Sequence, residues 1–196
     1  MTSLRAEVDR ALERCLCDAG FEKARDGVFL REIAPNIFGW IGIGLASRKR
    51  GGEVDADPMI GVRYEPVEEL LPSGAPYDAT VFRPLYELLP GGAYMTWSFN
   101  PDNVAQQAEA LAAVIERAAV PFMESLSSPQ AVREALEGWA FADVRRRRLP
   151  AFRLAEGDVA GARAEVERER SQLEEDDPGL LDEYDTFARE LLASRQ

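Results

Sequence analysis

After a first helical segment, one change of hydrophobic period divides this chain, and that change sets the fold class. From Gly27 to Phe99 the apolar runs are mostly strand-like; from Asn100 onward apolar residues recur at three and four. Strands first and helices afterwards predict an α+β fold, not a chain of βαβ units. One helix precedes the strands: Leu4, Val8, Ala11, Leu12, Cys15 and Leu16 share a face, and Gly20 is placed to close it.

Gly27 to Ile33 and Ile37 to Ser47 read as two strands joined by the turn Ala34-Pro35-Asn36. In the second, Ile37, Ile41, Ile43 and Leu45 share one face, while Phe38, Trp40, Gly42 and Gly44 share the other. Arg48 to Asp57 is a charged connection, Met59 to Tyr64 a third strand and Ala93 to Phe99 a fourth. Between the last two lies an insertion, residues 65–92, interrupted by Pro66, Pro72, Pro76, Pro84 and Pro90; helical turns are expected around Val67-Leu71 and Pro84-Leu89.

In the helical half, Asn100-Pro101, Ser128-Pro129, Asp158 and Asp177-Pro178 are the expected helix starts, while Pro121 and Pro150 are expected to end the helices that contain them. The expected architecture is a four-stranded, mainly antiparallel sheet covered by helices on one face. Residues 1–125 form the α+β domain, and residues 126–196 form a C-terminal helical bundle packed on it.

Function is bounded mainly by residue types. The chain has no histidine, so the commonest general base and metal ligand is missing. Its two cysteines, Cys15 and Cys17, are about 200° apart on a helix and form neither a redox pair nor half of a zinc site. A net charge of −12 disfavours nucleic acid and anionic membranes as partners. No cofactor is implied, no leader or membrane span is read, and a cytoplasmic location is expected.

Gly39-x-x-Gly42-x-Gly44 lies inside a strand with no helix after it, which argues for close packing and against a phosphate loop. Arg145-Arg146-Arg147-Arg148 surrounds a helix, so pairing with the Glu-rich helices that follow is expected over a phosphate site. From Glu156 to Asp185 there are twelve acidic residues and three arginines. Glu174 to Asp177 and Asp182-Glu183-x-Asp185 lack the spacing of a calcium loop. They read as solvated helix ends that suit a helix N-terminus, or as a surface steering a basic partner.

Gly20-Phe21-x-Lys23, Phe29-x-Arg31, Tyr86-x-Leu88-Leu89-Pro90, Tyr94-x-x-Trp97-x-Phe99 and Val120-Pro121-Phe122-Met123 together carry a resemblance. The first 125 or so residues resemble small bacterial proteins of unknown function with a Gly-Phe-x-Lys…Phe-x-Arg half, some related in kind to toxin-immunity proteins. The resemblance implies a protein–protein partner and transfers no catalytic residue. Leu154-Ala-Glu-Gly157-Asp158-x-x-x-Ala162 also resembles one tetratricopeptide hairpin, but one hairpin makes no array.

The expected function is therefore non-catalytic binding of a basic protein, with Trp40, Tyr64, Tyr94, Glu174, Glu175 and Asp176 as candidate partner-binding residues. The alternative is a small-ligand site or an enzyme on the open sheet face, using space beside Trp40 with Arg63, Tyr64, Asp78, Arg83 or Tyr94. A monomer or a homodimer is compatible with either reading.

Overall fold

A computed structural model describes residues 3–48, 52–71, 79–139 and 141–193. Ser3 caps the first helix, α1 (Leu4–Asp18), its hydroxyl accepting from the Ala6 N–H. Val8, Leu12 and Leu16 form the buried stripe. Cys15 is half-buried and Cys17 exposed. Gly20, at φ 83°, turns the chain into β1 (Glu22–Arg25), which pairs antiparallel with β2 (Val28–Ala34).

Asn36, at φ 63°, makes the turn into β3 (Ile37–Ser47), and β4 (Val54–Tyr64) follows. Two strands come later, β5 (Val81–Pro84) and β6 (Trp97–Phe99), and the sheet order is β1-β2-β3-β4-β5 with β6 also on β4. The sheet therefore has six strands, not the four expected. β1 and β5 escaped notice because four residues are too few to show a period; β1 is also almost wholly polar.

β6 is shorter than the expected strand 93–99, and Pro58 explains why. Val54 faces Phe99 and Ala56 faces Trp97, so the next pair on that register would be Pro58 and Met95. A proline at that position has no N–H to give to a ladder. Pairing stops, leaving Tyr94 69% exposed.

Two compact units divide the chain: residues 1–62 with 82–127, and residues 63–81 with 128–196. Of the insertion 65–92, residues 65–81 group with the helical unit and residues 82–92 with the other.

In the first unit the α3 helix (Val104–Val114) packs on α1, and α4 (Val120–Ser125) on β3. α3 starts at Val104, not at Pro101: Asn100 instead accepts from the Asp102 N–H in an Asx turn. Pro121 does not end the helix as expected. A π turn, Ile115–Ala119, lets the Val120 N–H reach Ile115 O and relieves the crowding a proline causes in an α-helix. Gly39 on β3 lets Met123 approach closely: a Cβ there would lie 2.7 Å from Met123 Sδ and would push that side chain aside.

The second unit holds α2 (Glu65–Glu68), α5 (Pro129–Glu137), α6 (Ala142–Ala155), α7 (Val159–Asp176) and α8 (Leu181–Ala193). Ser128 and Asp158 cap α5 and α7, accepting from the Ala131 and Gly161 N–H groups, as their sequence signals imply. Pro150 lies inside α6, contrary to expectation. Its missing N–H would orphan Arg146 O, and the Tyr184 hydroxyl of α8 donates to that carbonyl at 3.4 Å. Among the described residues no helix is long and apolar enough to cross a membrane.

Candidate functional site

The arginine-rich helix α6 organises the second unit. Arg148 is fully buried, and its guanidinium forks onto Glu68 of α2: Nε donates to Oε1 at 2.9 Å and an Nη donates to Oε2 at 3.2 Å. Thr80 Oγ1 donates to Glu68 Oε1 at 2.9 Å and accepts the Tyr64 N–H at 2.9 Å. This network ties both ends of residues 64–80 to α6.

Of the other three arginines, Arg147 pairs with the exposed Glu183 and Arg146 with the exposed Asp143 at 3.1 Å, while Arg145 stands 3.9 Å from the buried Glu169. Arg145 and Arg147 face acids of the helices that follow, as expected, but Arg146 pairs within α6 and Arg148 turns to Glu68, ahead of it in the chain.

On α7, Ala162, Val166, Glu169 and Leu173 form one stripe at spacings of four, three and four, and Glu169 is only 3% exposed. Arg168 holds it at 2.9 Å and also pairs with Glu165 at 2.6 Å. Burial first, and the Glu169 charge next, push the neighbouring Tyr184 hydroxyl well above the ordinary tyrosine range. Glu137, Arg145, Leu149, Arg153, Glu165, Arg168, Glu169 and Gln172 line a cleft of about 390 Å³. The sequence carried a signal for Glu169, the gap in the α7 apolar stripe between Val166 and Leu173. It carried none for the pairing of Arg148, whose partner lies 80 positions away.

The candidate partner-binding residues are divided between the two units. Trp40, in the first unit, is 3% exposed, packs 6.2 Å from Phe82 and presents no indole to a partner, which corrects its expected role. Its ring fills the space beside Gly42, where a Cβ would come within 2.2 Å, so the room foreseen there for a ligand is taken. Tyr94, in the same unit, is exposed with its ring edge-on to Tyr86 at 5.4 Å.

Tyr64, in the second unit, stacks on Phe152 at 5.3 Å; burial, then the Glu156 charge, raises its hydroxyl pKa. Arg63 forks onto Glu65 at 2.9 and 3.0 Å, and Arg83 lies over the Phe122 ring at 4.9 Å. Asp78 lies outside the described residues, as do Lys49 and Arg50 of the charged connection. Arg48 is pinned by Glu53 and Asp55 at 3.0 and 2.6 Å.

Glu174, Glu175 and Asp176 are exposed in the last turn of α7. The sequence pattern suits a helix N-terminus, whereas at a C-terminus these carboxylates oppose the helix dipole. Glu174 pairs with Arg170 at 2.9 Å, whereas Glu175, Asp176 and the following Asp177 make no ion pair among the described residues. Asp182 and Glu183, in the first turn of α8, do suit the dipole.

The Gly-Phe-x-Lys…Phe-x-Arg residues do meet. Lys23 bridges Asp9 and Glu13 of α1, both at 2.9 Å; Phe21 and Phe29 are buried, and the Arg31 guanidinium lies 5.2 Å above the Phe21 ring. They fasten α1 to the sheet. Among the described residues no group of three or more His, Cys, Asp or Glu side chains is placed to hold a metal ion. No family model, curated protein or solved structure matches the chain.

Proposed function

We propose that this chain is a non-catalytic protein-binding protein whose partner is basic, most concretely an immunity-type partner of a cationic toxin in the cytoplasm. The observation that carries the reading is the end of α7. Carboxylates at 174–177 accumulate where the dipole is already negative, and among the described residues three of them have no ion-pair partner. Each costs about 0.3–1 kcal/mol of helix stability, which a basic surface would turn into attraction. The exposed Tyr94 offers an aromatic contact of the type that anchors interfaces.

Catalytically inactive cationic nuclease domains serve as probes in binding kinetics. Replacing Glu174, Glu175 and Asp176 together by Lys is expected to lower the association rate about tenfold or more while melting is unchanged or raised. An unchanged rate would contradict the proposal.

A further inference from the structure

The cleft between α6 and α7 holds cations that its own carboxylates do not satisfy. Arg168 is well placed, close to both Glu165 and Glu169. Arg145 stands 3.9 Å from Glu169, and Arg153 stands 3.8 Å from Glu165 and 3.9 Å from both Glu137 and Asp158. Those separations give attraction without a hydrogen bond, which needs about 2.7–3.2 Å. Arg153 Nε is buried and has no acceptor among the described residues. The two guanidinium groups project from one face of α6, two turns apart, with Leu149 midway between them.

Arg145, partly exposed, and Arg153, with its buried Nε, are guanidinium groups of a kind that suits a carboxylate or a phosphate, while Glu165 Oε2 of the same cleft is a buried acceptor without a hydrogen-bond donor among the described residues. The surroundings disfavour a plain anion. Glu137, Glu165 and Glu169 share the cleft with Arg145, Arg153 and Arg168, and residues 128–196 carry sixteen acidic side chains against eleven arginines. A ligand with both charges meets both sets. We propose that the cleft binds a small zwitterion, a free L-amino acid. Arg145 and Arg153 receive its carboxylate, and Glu137, held only at 3.9 Å by Arg133 and Arg153, receives its ammonium group. Leu149 supplies the apolar floor. A volume of about 390 Å³ accommodates such a ligand. The proposal is independent of the acidic end of α7.

Calorimetric titration of the full chain with each of the twenty free L-amino acids tests it. At least one is expected to bind saturably at one site. N-acetylation or amidation of that ligand should each weaken binding about tenfold or more, since each removes one charge. Arg145→Gln and Arg153→Gln should do the same with unchanged circular dichroism, and inorganic phosphate should not displace the ligand. Absence of saturable binding across the panel, equal competition by phosphate, or binding that survives both substitutions would overturn it. If Arg153→Gln fails to fold, Arg145→Gln and the two blocked ligands still decide.

Discussion

The two compact units keep their polar groups in opposite ways. Every buried polar or charged residue among those described, Thr80, Arg148 and Glu169, belongs to the unit formed by residues 63–81 and 128–196. In the other unit the interior is apolar, built on residues such as Phe29, Ile41, Ile60 and Leu111, and its ion pairs involve partly exposed side chains such as Lys23 and Arg48. Shape therefore specifies the first unit, and charge pairing contributes to specifying the second. A buried pair adds little net stability over apolar groups but penalises every arrangement that separates its members.

The sharpest way to break this contrast is to remove one member of the buried pair. Arg148→Met or Glu68→Met alone should cost about 3–5 kcal/mol in urea denaturation, because each strands a charge; the double variant should recover most of that loss. A double variant no more stable than the singles would place the pair's contribution elsewhere. In the first unit, Gly42→Ala drives a methyl into the Trp40 indole and should cost about 1–3 kcal/mol, with tryptophan fluorescence changed. A neutral result would mean that Trp40 is free to move.

Tyr184→Phe should cost about 1 kcal/mol, since it leaves Arg146 O opposite Pro150 without its donor. Smallest are the pH limbs of the first unit. The Ser98 hydroxyl, then Arg48, hold the Asp55 carboxyl below the usual carboxylate range. That stabilisation is present above the unfolded value of about 3.9 and is lost as pH falls through the folded one. A hydrogen bond from Lys23 to Asp9, ahead of the opposing effect of burial, raises the ammonium pKa. Its share is full below about 10.4 and is lost as pH rises through the folded value. Asp55→Asn should flatten the acid limb of the melting profile and leave the alkaline limb in place.

What could be read from the chain beforehand was local. The α1 stripe, the turn at Asn36 and the caps at Ser128 and Asp158 depend on residues within four positions of one another, and all are present. What could not be read depends on distant compensation. Pro150 stays helical beside a hydroxyl from Tyr184, and Arg148 is buried because Glu68 and Thr80 arrive from the insertion. Trp40 was foreseen as a surface anchor because nothing near it in sequence announces Phe82, and Gly42 was read as open space that the same indole occupies. The acidic run was visible, but which end of a helix it would occupy was not.

The central claim is that charge at the end of α7 draws in a basic partner. The dependence of the association rate on ionic strength tests it most directly. Between about 50 and 500 mM salt, the rate for a cationic nuclease domain should fall steeply, and the dissociation rate should change little. An association rate that stays level across that range would contradict the account.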